Sequence, residues 1–377
     1  MRLAQWSLHF YRLRYRREVR WAYAPESHGD YALLKLVADN GASGIAEGVI
    51  KATRTGYSPR SLAATLEDVL LPLLKGVDLA DTCAVGRAFH WLDGNLAGRA
   101  LIDNACWALR ASAAGKSLWR EWRGAAEVPV TWIVTRRPPG EMAAEAAEMC
   151  ARHGLRSLKL KGGQGRETDL RVIAEVRAAV GASIELSMDA NRAYPQEGIA
   201  EYVRAIADAG VTVAEDPCQL APDSAFEKLQ RECPIPLLVD FPCTSRQDAA
   251  LFLDRGARSL MVKPGRIGLS EALEIDTLCA RSGAGVSLGM FYETALGTAL
   301  SLQAAAALKS RLVLPAEHSF YLLLTEQVTN VALEVKHGKF RLPDEPNLEK
   351  LVDWNAVEKY KINADGVSSG SRRDPRS

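Results

Sequence analysis

Ser157-Leu-Lys-Leu-Lys161, Ser183-Ile-Glu-Leu-Ser-Met-Asp189, Val211-Thr-Val-Ala-Glu215, Pro236-Leu-Leu-Val-Asp240 and Ser259-Leu-Met-Val-Lys263 are five short, largely apolar runs, each closed by a charged residue. The closing residues follow one another at intervals of 28, 26, 25 and 23 positions. Between them lie Ala-rich segments of helical spacing. Residues 168–180 place Leu170, Ile173, Val176 and Val180 on one face and stop at Gly181. The next segment has Pro195 at its start, Ile199, Val203 and Ile206 behind it, and Gly210 at its end. Ser245 and Asp248 have capping-box-like spacing before a helix that ends at Gly256. Runs that are apolar throughout are buried on both faces, as in a parallel sheet. Residues 128–134, 285–290 and 313–317 are three more such runs, giving eight. Strand alternating with helix about eight times predicts an α/β fold of the TIM-barrel type, (β/α)8. A doubly wound open sheet would want a GxGxxG turn after an early strand, and the chain has none.

On either side of this region the pattern changes. Residues 8–15 alternate, with Arg12, Arg14 and Arg16 on one face, and 31–37 form an apolar run before the hairpin signal Asp39-Asn-Gly41. Ser58-Pro59 opens a helix carrying Leu62, Leu66, Val69 and Leu70, and further helices are expected near 81–92 and 99–112. Residues 1–125 are therefore expected to be an α+β unit and 126–325 the barrel. Residues 364–377, including Gly-Val-Ser-Ser-Gly-Ser-Arg-Arg-Asp, read as a disordered tail.

Composition bounds the partners. At 377 residues the chain has room for about 2.5 domains. Its 47 Lys and Arg against 46 Asp and Glu leave a net charge of +1, which argues against a general nucleic-acid binder. The 47% apolar content excludes disorder, and no apolar run reaches the ~18 residues that cross a bilayer. Seven cysteines, odd in number and without a CxxC pair, read as reduced thiols. With no apolar signal region at the N-terminus, the expected location is the cytoplasm.

The C-terminal strand ends of a β/α barrel build its active site, so Lys161, Asp189, Glu215, Asp240 and Lys263 should lie side by side on one rim. Three massed carboxylates repel one another and would raise each other's pKa. A hard divalent cation removes that conflict, and ligation by oxygen alone suits Mg2+, with Mn2+ as the other candidate. Lysine is a poor base at its free pKa of ~10.4, but neighbouring cations lower it. Lys159, on the same strand face as Lys161, and a metal would both act on Lys161 in that way. Lys263 would face it across the metal. Two bases flanking a metal suit removal of a proton next to a carboxylate. One strand-end Asp or Lys alone reads as a helix cap or rim ion pair; five in register do not. Asn191 has a turn-residue reading beside its polar-contact one. Arg12, Arg14 and Arg16 read most simply as a solvated face, with an anion-attracting lip as the other option. The six His residues have no ligand spacing; His318 alone, following the eighth run, is placed to face the site.

These residues resemble the enolase superfamily, in particular its muconate-lactonizing-enzyme-like subgroup. The matching segments are Leu158-Lys-Leu-Lys-Gly-Gly163, Met188-Asp-Ala-Asn191, Ala214-Glu-Asp-Pro217, Leu238-Val-Asp240, Val262-Lys-Pro-Gly-Arg-Ile-Gly268 and Tyr292-Glu-Thr-Ala-Leu-Gly297. Gly44-Ile-Ala-Glu-Gly48 and Ala105-Cys-Trp-Ala-Leu109 look like the capping domain of that family. Two details depart from the family: Leu269 follows Gly268 where a second Gly is common, and Ala108 follows Trp107 where Asp is common.

The resemblance implies a modified barrel, (β/α)7β, under an N-terminal α+β capping domain, with 326–363 returning to the cap. It implies Lys161 and Lys263 as the acid/base pair, Lys159 in support, Asp189, Glu215 and Asp240 as Mg2+ ligands, and Asn191 and Glu293 at polar-contact positions. It also implies substrate loops near 16–29 and 53–59, where Arg16, Arg17 and Arg20 would meet a second negative charge. The expected activity is α-proton abstraction from a small carboxylate substrate through a metal-stabilised enolate, ending in racemisation, epimerisation or cycloisomerisation. A dehydratase with the same site is the alternative. A Schiff-base barrel built on Lys263 leaves the three carboxylates unexplained, and a non-catalytic scaffold leaves the whole set unexplained. A homo-oligomer is expected by resemblance only.

Overall fold

The computed structural model describes residues 1–363 apart from Tyr23 and Asp93, with the backbone alone at Thr53; the expected tail lies outside the described residues. β1 (Leu3–Arg20), β2 (Pro25–Ala38) and β3 (Ser43–Ile50) form an antiparallel sheet in that order. The turn between β2 and β3 is the expected Asp39-Asn-Gly41 hairpin, with Gly41 at φ 83°. Ser58 caps the helix Pro59–Ala64 in a capping box, with Pro59 in its first turn. The helix Leu96–Ala114 lies on β3 so closely that a Cβ at Gly44 would sit 2.2 Å from the backbone nitrogen of Leu109. Only glycine permits that approach.

Chain order continues with β4 (Glu127–Pro129), β5 (Trp132–Val134), β6 (Ser157–Lys161), β7 (Glu185–Asp189), β8 (Val211–Glu215), β9 (Leu237–Val239), β10 (Ser259–Val262), β11 (Gly285–Leu288) and β12 (Arg311–Leu312). β5 to β12 make one eight-stranded sheet in sequence order, every neighbouring pair parallel and joined by helical crossovers. The sheet curls until its two ends meet. Val130 and Ala316 form a parallel bridge, in which Thr131 N–H donates to the Ala316 carbonyl at 2.8 Å and Ala316 N–H to that of Pro129 at 2.9 Å. All five residues of β6 are buried, as the apolar runs require. Val213, Leu238, Met261 and Leu314 form a small cluster of their own, apart from the main core.

Three expectations change in detail. The run 128–134 divides, because β4 turns away to pair with β14 (Lys339–Arg341), itself paired with β13 (Val335–Lys336). The run 313–317 begins its pairing earlier, at β12, and Pro315 cannot donate to a ladder. Val313 and Glu317 still donate to Val286 and Leu288, which keeps the segment beside β11. The stretch 16–29 is mostly hairpin, since β1 runs to Arg20 and β2 starts at Pro25. The alternating burial of Leu13, Tyr15, Val19 and Trp21 carries the strand through. The chain then returns to β1, where Arg12 N–H donates to the Tyr360 carbonyl and Ile362 N–H to that of Phe10. Among the described residues no helix is long and apolar enough to cross a membrane.

Candidate active site

The register that pairs Lys159 with Ser187, Lys161 with Asp189, and Asp189 with Glu215 puts the charged ends of β6, β7 and β8 in one row. Asp240 follows β9 and Lys263 follows β10, extending it. A cavity of about 560 Å3 opens over this row. Lys159, Lys161, Asn191, Asp240, Lys263 and Glu317 are among the residues that line it. Trp21, Val49, Arg54, Tyr57, Leu62, Leu101, Phe241 and Tyr292 form much of the remaining wall, so the N-terminal sheet and helices cover the strand ends.

The charges are tightly paired. Lys161 Nζ donates to Asp189 Oδ2 at 2.5 Å and to Asn191 Oδ1 at 3.3 Å. Lys263 Nζ donates to Asp240 Oδ2 at 2.6 Å. Lys159 is 2% exposed and lies 2.7 Å from Glu215, 2.6 Å from Glu317 and 3.1 Å from Asp189. Burial alone would lower its pKa, but the carboxylates of Asp189, Glu215, Glu317 and Asp240 hold it well above the usual lysine value. Burial works to raise Asp189, and Lys159, Lys161 and Lys263 outweigh it, so Asp189 is held well below the usual carboxylate range. Glu215 goes the other way. Burial and the charges of Asp189, Glu317 and Asp240 push it well up, against the pull of Lys159.

Glu317 is the residue that sequence reading passed over. Its signal was present, because the eighth run ends on it as the others end on their charges. His318 is 1% exposed with no hydrogen bond to either ring nitrogen, and burial, with Lys263 nearby, pushes it down to about 3. Glu293 lies beside the cavity wall rather than on it. It is 2% exposed, accepts the Phe291 N–H, and burial pushes it up to about 7. Asn191, Arg192, Asp216 and Tyr292 adopt φ of 50°, 62°, 36° and 64°, so four non-glycine residues in left-handed backbone sit around the strand ends. Such strain tends to collect at functional sites. Asp216, which no spacing singled out, accepts the N–H groups of Asp240 and Phe241 and fixes where the loop after β9 begins.

Arg16 and Arg17 are brought to a different groove, beside the helix Pro139–His153. Arg17 Nη2 lies 2.6 Å from both carboxylate oxygens of Glu145, and Arg16 is exposed near the Leu322 carbonyl. Arg20 pairs with Glu18. Arg17→Ala leaves the mostly buried Glu145 with Arg137 and Trp132 as its partners. It is expected to cost about 1–3 kcal/mol in urea denaturation while leaving turnover unchanged.

Among the described residues no three Asp, Glu, His or Cys side chains stand as a ready metal cluster, since lysine ammonium groups lie between the carboxylates. Asp189, Glu215 and Asp240 nevertheless fit a hard divalent cation. Their donors are all oxygen, Asp240 Oδ1 is buried with an ion pair to Arg266 at 3.2 Å but no hydrogen bond, and Glu215 carries repulsion that a cation would relieve.

Comparison with known proteins agrees with this geometry. The family model for the enolase C-terminal domain-like fold matches residues 141–348. The N-succinylamino acid racemase of Thermus thermophilus is 30% identical over 323 residues, covering 83% of this chain and 84% of its own. The L-Ala-D/L-Glu epimerase of Bacillus subtilis is 27% identical over 337 residues, covering 88% and 90%. The structure of a muconate lactonizing enzyme from Mycobacterium smegmatis, complexed with muconolactone, superposes with a TM-score of 0.91 at 21% identity, covering 96% of this chain and all of its own; this is a likeness of fold. The chain is thus an enzyme of the enolase superfamily. Within it, the chain belongs with the muconate-lactonizing-enzyme-like members, among them epimerases, racemases, cycloisomerases and o-succinylbenzoate synthases.

Proposed function

We propose that the chain is a divalent-metal-dependent isomerase that moves the α-proton of a small carboxylate substrate, giving racemisation, epimerisation or cycloisomerisation. The observation that carries this reading is the placing of Lys161 and Lys263. They sit at the ends of β6 and β10, four strands apart in an eight-stranded curl, with Asp189, Glu215 and Asp240 on the strands between. The curl is then a (β/α)7β barrel, residues 1–125 its cap and 326–363 the segment that returns to it.

Each residue has a part in this reading. Lys161 and Lys263 reach a substrate α-carbon from opposite faces, one taking the proton and the other returning it. Asn191 orients Lys161, Lys159 adds a second positive charge beside it by sharing Asp189, and Asp189 and Asp240 each hold a lysine in place through a direct hydrogen bond. Glu293 supports the Lys263 side. Asp189, Glu215 and Asp240 would hold Mg2+, or Mn2+, which when bound supplies positive charge to a substrate carboxylate and makes its α-proton more acidic. Trp21, Phe241 and Tyr292 exclude water from the same space.

Incubation in D2O with acyl-amino acids, dipeptides and hydroxy acids, read by mass spectrometry, tests the reading. Incorporation of one deuterium at the α-carbon with inversion supports it, and loss of water instead marks a dehydratase. Borohydride trapping of a carbonyl substrate on Lys263 would overturn it. EDTA is expected to abolish α-deuteration and excess Mg2+ to restore it; full exchange in EDTA would remove the metal from the reading.

A further inference from the structure

Glu47 lies on β3, in the N-terminal sheet, and is 3% exposed. A carboxylate so deeply placed needs donors, and it has them from two directions. From β1, Tyr11 Oη donates at 2.6 Å. From the segment after β11, Thr294 donates through its N–H at 2.8 Å and through its hydroxyl. No lysine or arginine is among these partners, so the carboxylate is held by neutral donors alone.

The segment that Glu47 grips is a wall of the cavity. Met290, Phe291 and Tyr292 line it, and Tyr292 has φ 64°, a conformation that a bulky aromatic residue avoids unless its surroundings impose it. The Tyr292 ring stands against Trp21 at 4.8 Å between centroids, and Lys51 Nζ lies 3.6 Å from its centre. Behind the wall the contacts leave no room. A Cβ at Gly297 would come within 2.6 Å of Glu47 Oε1 and 2.9 Å of Glu293 Cβ, and one at Gly265 within 2.1 Å of Glu293 Oε1. Gly265 is two residues beyond Lys263. A chain of direct contacts therefore runs from β1 through Tyr11, Glu47, Thr294 and Glu293 to the backbone beside Lys263.

We propose that Glu47 is a positioning residue: from the N-terminal sheet it clamps Thr294, and so fixes the cavity wall 290–292 just before it and the setting of Lys263. It touches neither the cavity nor the charged row. The importance of that wall rests on the functional reading above, whereas the clamp itself does not.

Hydrogen exchange on the Glu47→Gln protein, followed by mass spectrometry of peptides spanning 290–297, tests it. The carboxamide keeps the size but turns one acceptor into a donor facing Tyr11 or Thr294. Amides of 290–297 are expected to exchange at least about tenfold faster, with those of β6 and the helix Leu96–Ala114 unchanged. Once a substrate is found, kcat should fall about tenfold with KM within about twofold, since a displaced base costs rate more than binding. Tyr11→Phe, a milder change at the far end of the same chain of contacts, should show the same regional pattern at smaller size, and it serves if Glu47→Gln does not fold. Unchanged exchange over 290–297 in a folded Glu47→Gln protein overturns the clamp, as does faster exchange spread evenly over the chain. Faster exchange confined to 290–297, in a protein that deuterates none of the carboxylates, upholds the clamp and counts against the functional reading instead.

Discussion

Lys161→Ala and Lys263→Ala are each expected to lower interconversion of a substrate's two α-configurations by about 10^3-fold or more, within reach of what a positioned acid or base contributes. The two losses should differ in kind. If the lysines work on opposite faces of one α-carbon, removing one leaves the other able to exchange the proton on its own side. Lys161→Ala should then still wash deuterium into one configuration of the substrate, and Lys263→Ala into the other. Proton NMR in D2O separates the two cases, because loss of the α-proton signal is followed for each enantiomer alone. If either variant keeps wild-type interconversion, that lysine is not a base. If both variants exchange the same enantiomer, the two-face arrangement is wrong even though the residues matter.

The second large effect is on stability. Lys159 is the common partner of Asp189, Glu215 and Glu317, and all four side chains are almost wholly buried. Removing it leaves Glu215 and Glu317 without their lysine, while Asp189 keeps Lys161, and stranding buried carboxylates in this way costs about 3–5 kcal/mol. Lys159→Met, which preserves most of the volume, is expected to lower the stability measured in urea at pH 7 by that amount. Glu317→Gln, which removes one of the three negative charges on Lys159 but keeps a carbonyl oxygen able to accept, should cost less. A Lys159→Met protein within about 1 kcal/mol of wild type would mean that the carboxylates find other partners, and the packed ion cluster would lose its structural role.

The architecture was legible because the chain writes it redundantly. Five of the seven crossovers repeat the same sentence of helix, glycine and apolar run, so a misplaced end at Ser183 or Val313 changes no topology. The charged row was legible for a related reason. A parallel sheet puts successive strand ends side by side, and five charges at intervals of 23 to 28 had no other geometry available. What escaped was set by contacts without a period. Asp216 and Tyr292 owe their places to backbone torsions that depend on distant partners. Glu47 owes its place to a hydroxyl 36 positions before it and an amide 247 positions after it. Arg16 and Arg17 read, by resemblance, as a match for a second negative charge on the substrate, because an arginine's sequence context is the same whether it meets a ligand or Glu145. Only the continuation of β1 to Arg20 decides which.

The hydrogen bonds that Tyr360 and Ile362 make with Arg12 and Phe10 bear on how the protein is made. β1 leaves the ribosome well before Tyr360 and Ile362, the residues that complete one of its edges. The sheet it belongs to can pair with β2 and β3 early, but that edge stays open while the chain between β3 and Tyr360 is made. An open strand edge is a template for another chain. The newly made N-terminal sheet therefore spends that interval as the part of the protein most exposed to association with its own copies, and late closure by Tyr360–Ile362 ends it. Expression level and temperature, which set how many unfinished chains meet, should govern the soluble yield of this protein more than the stability of its finished form.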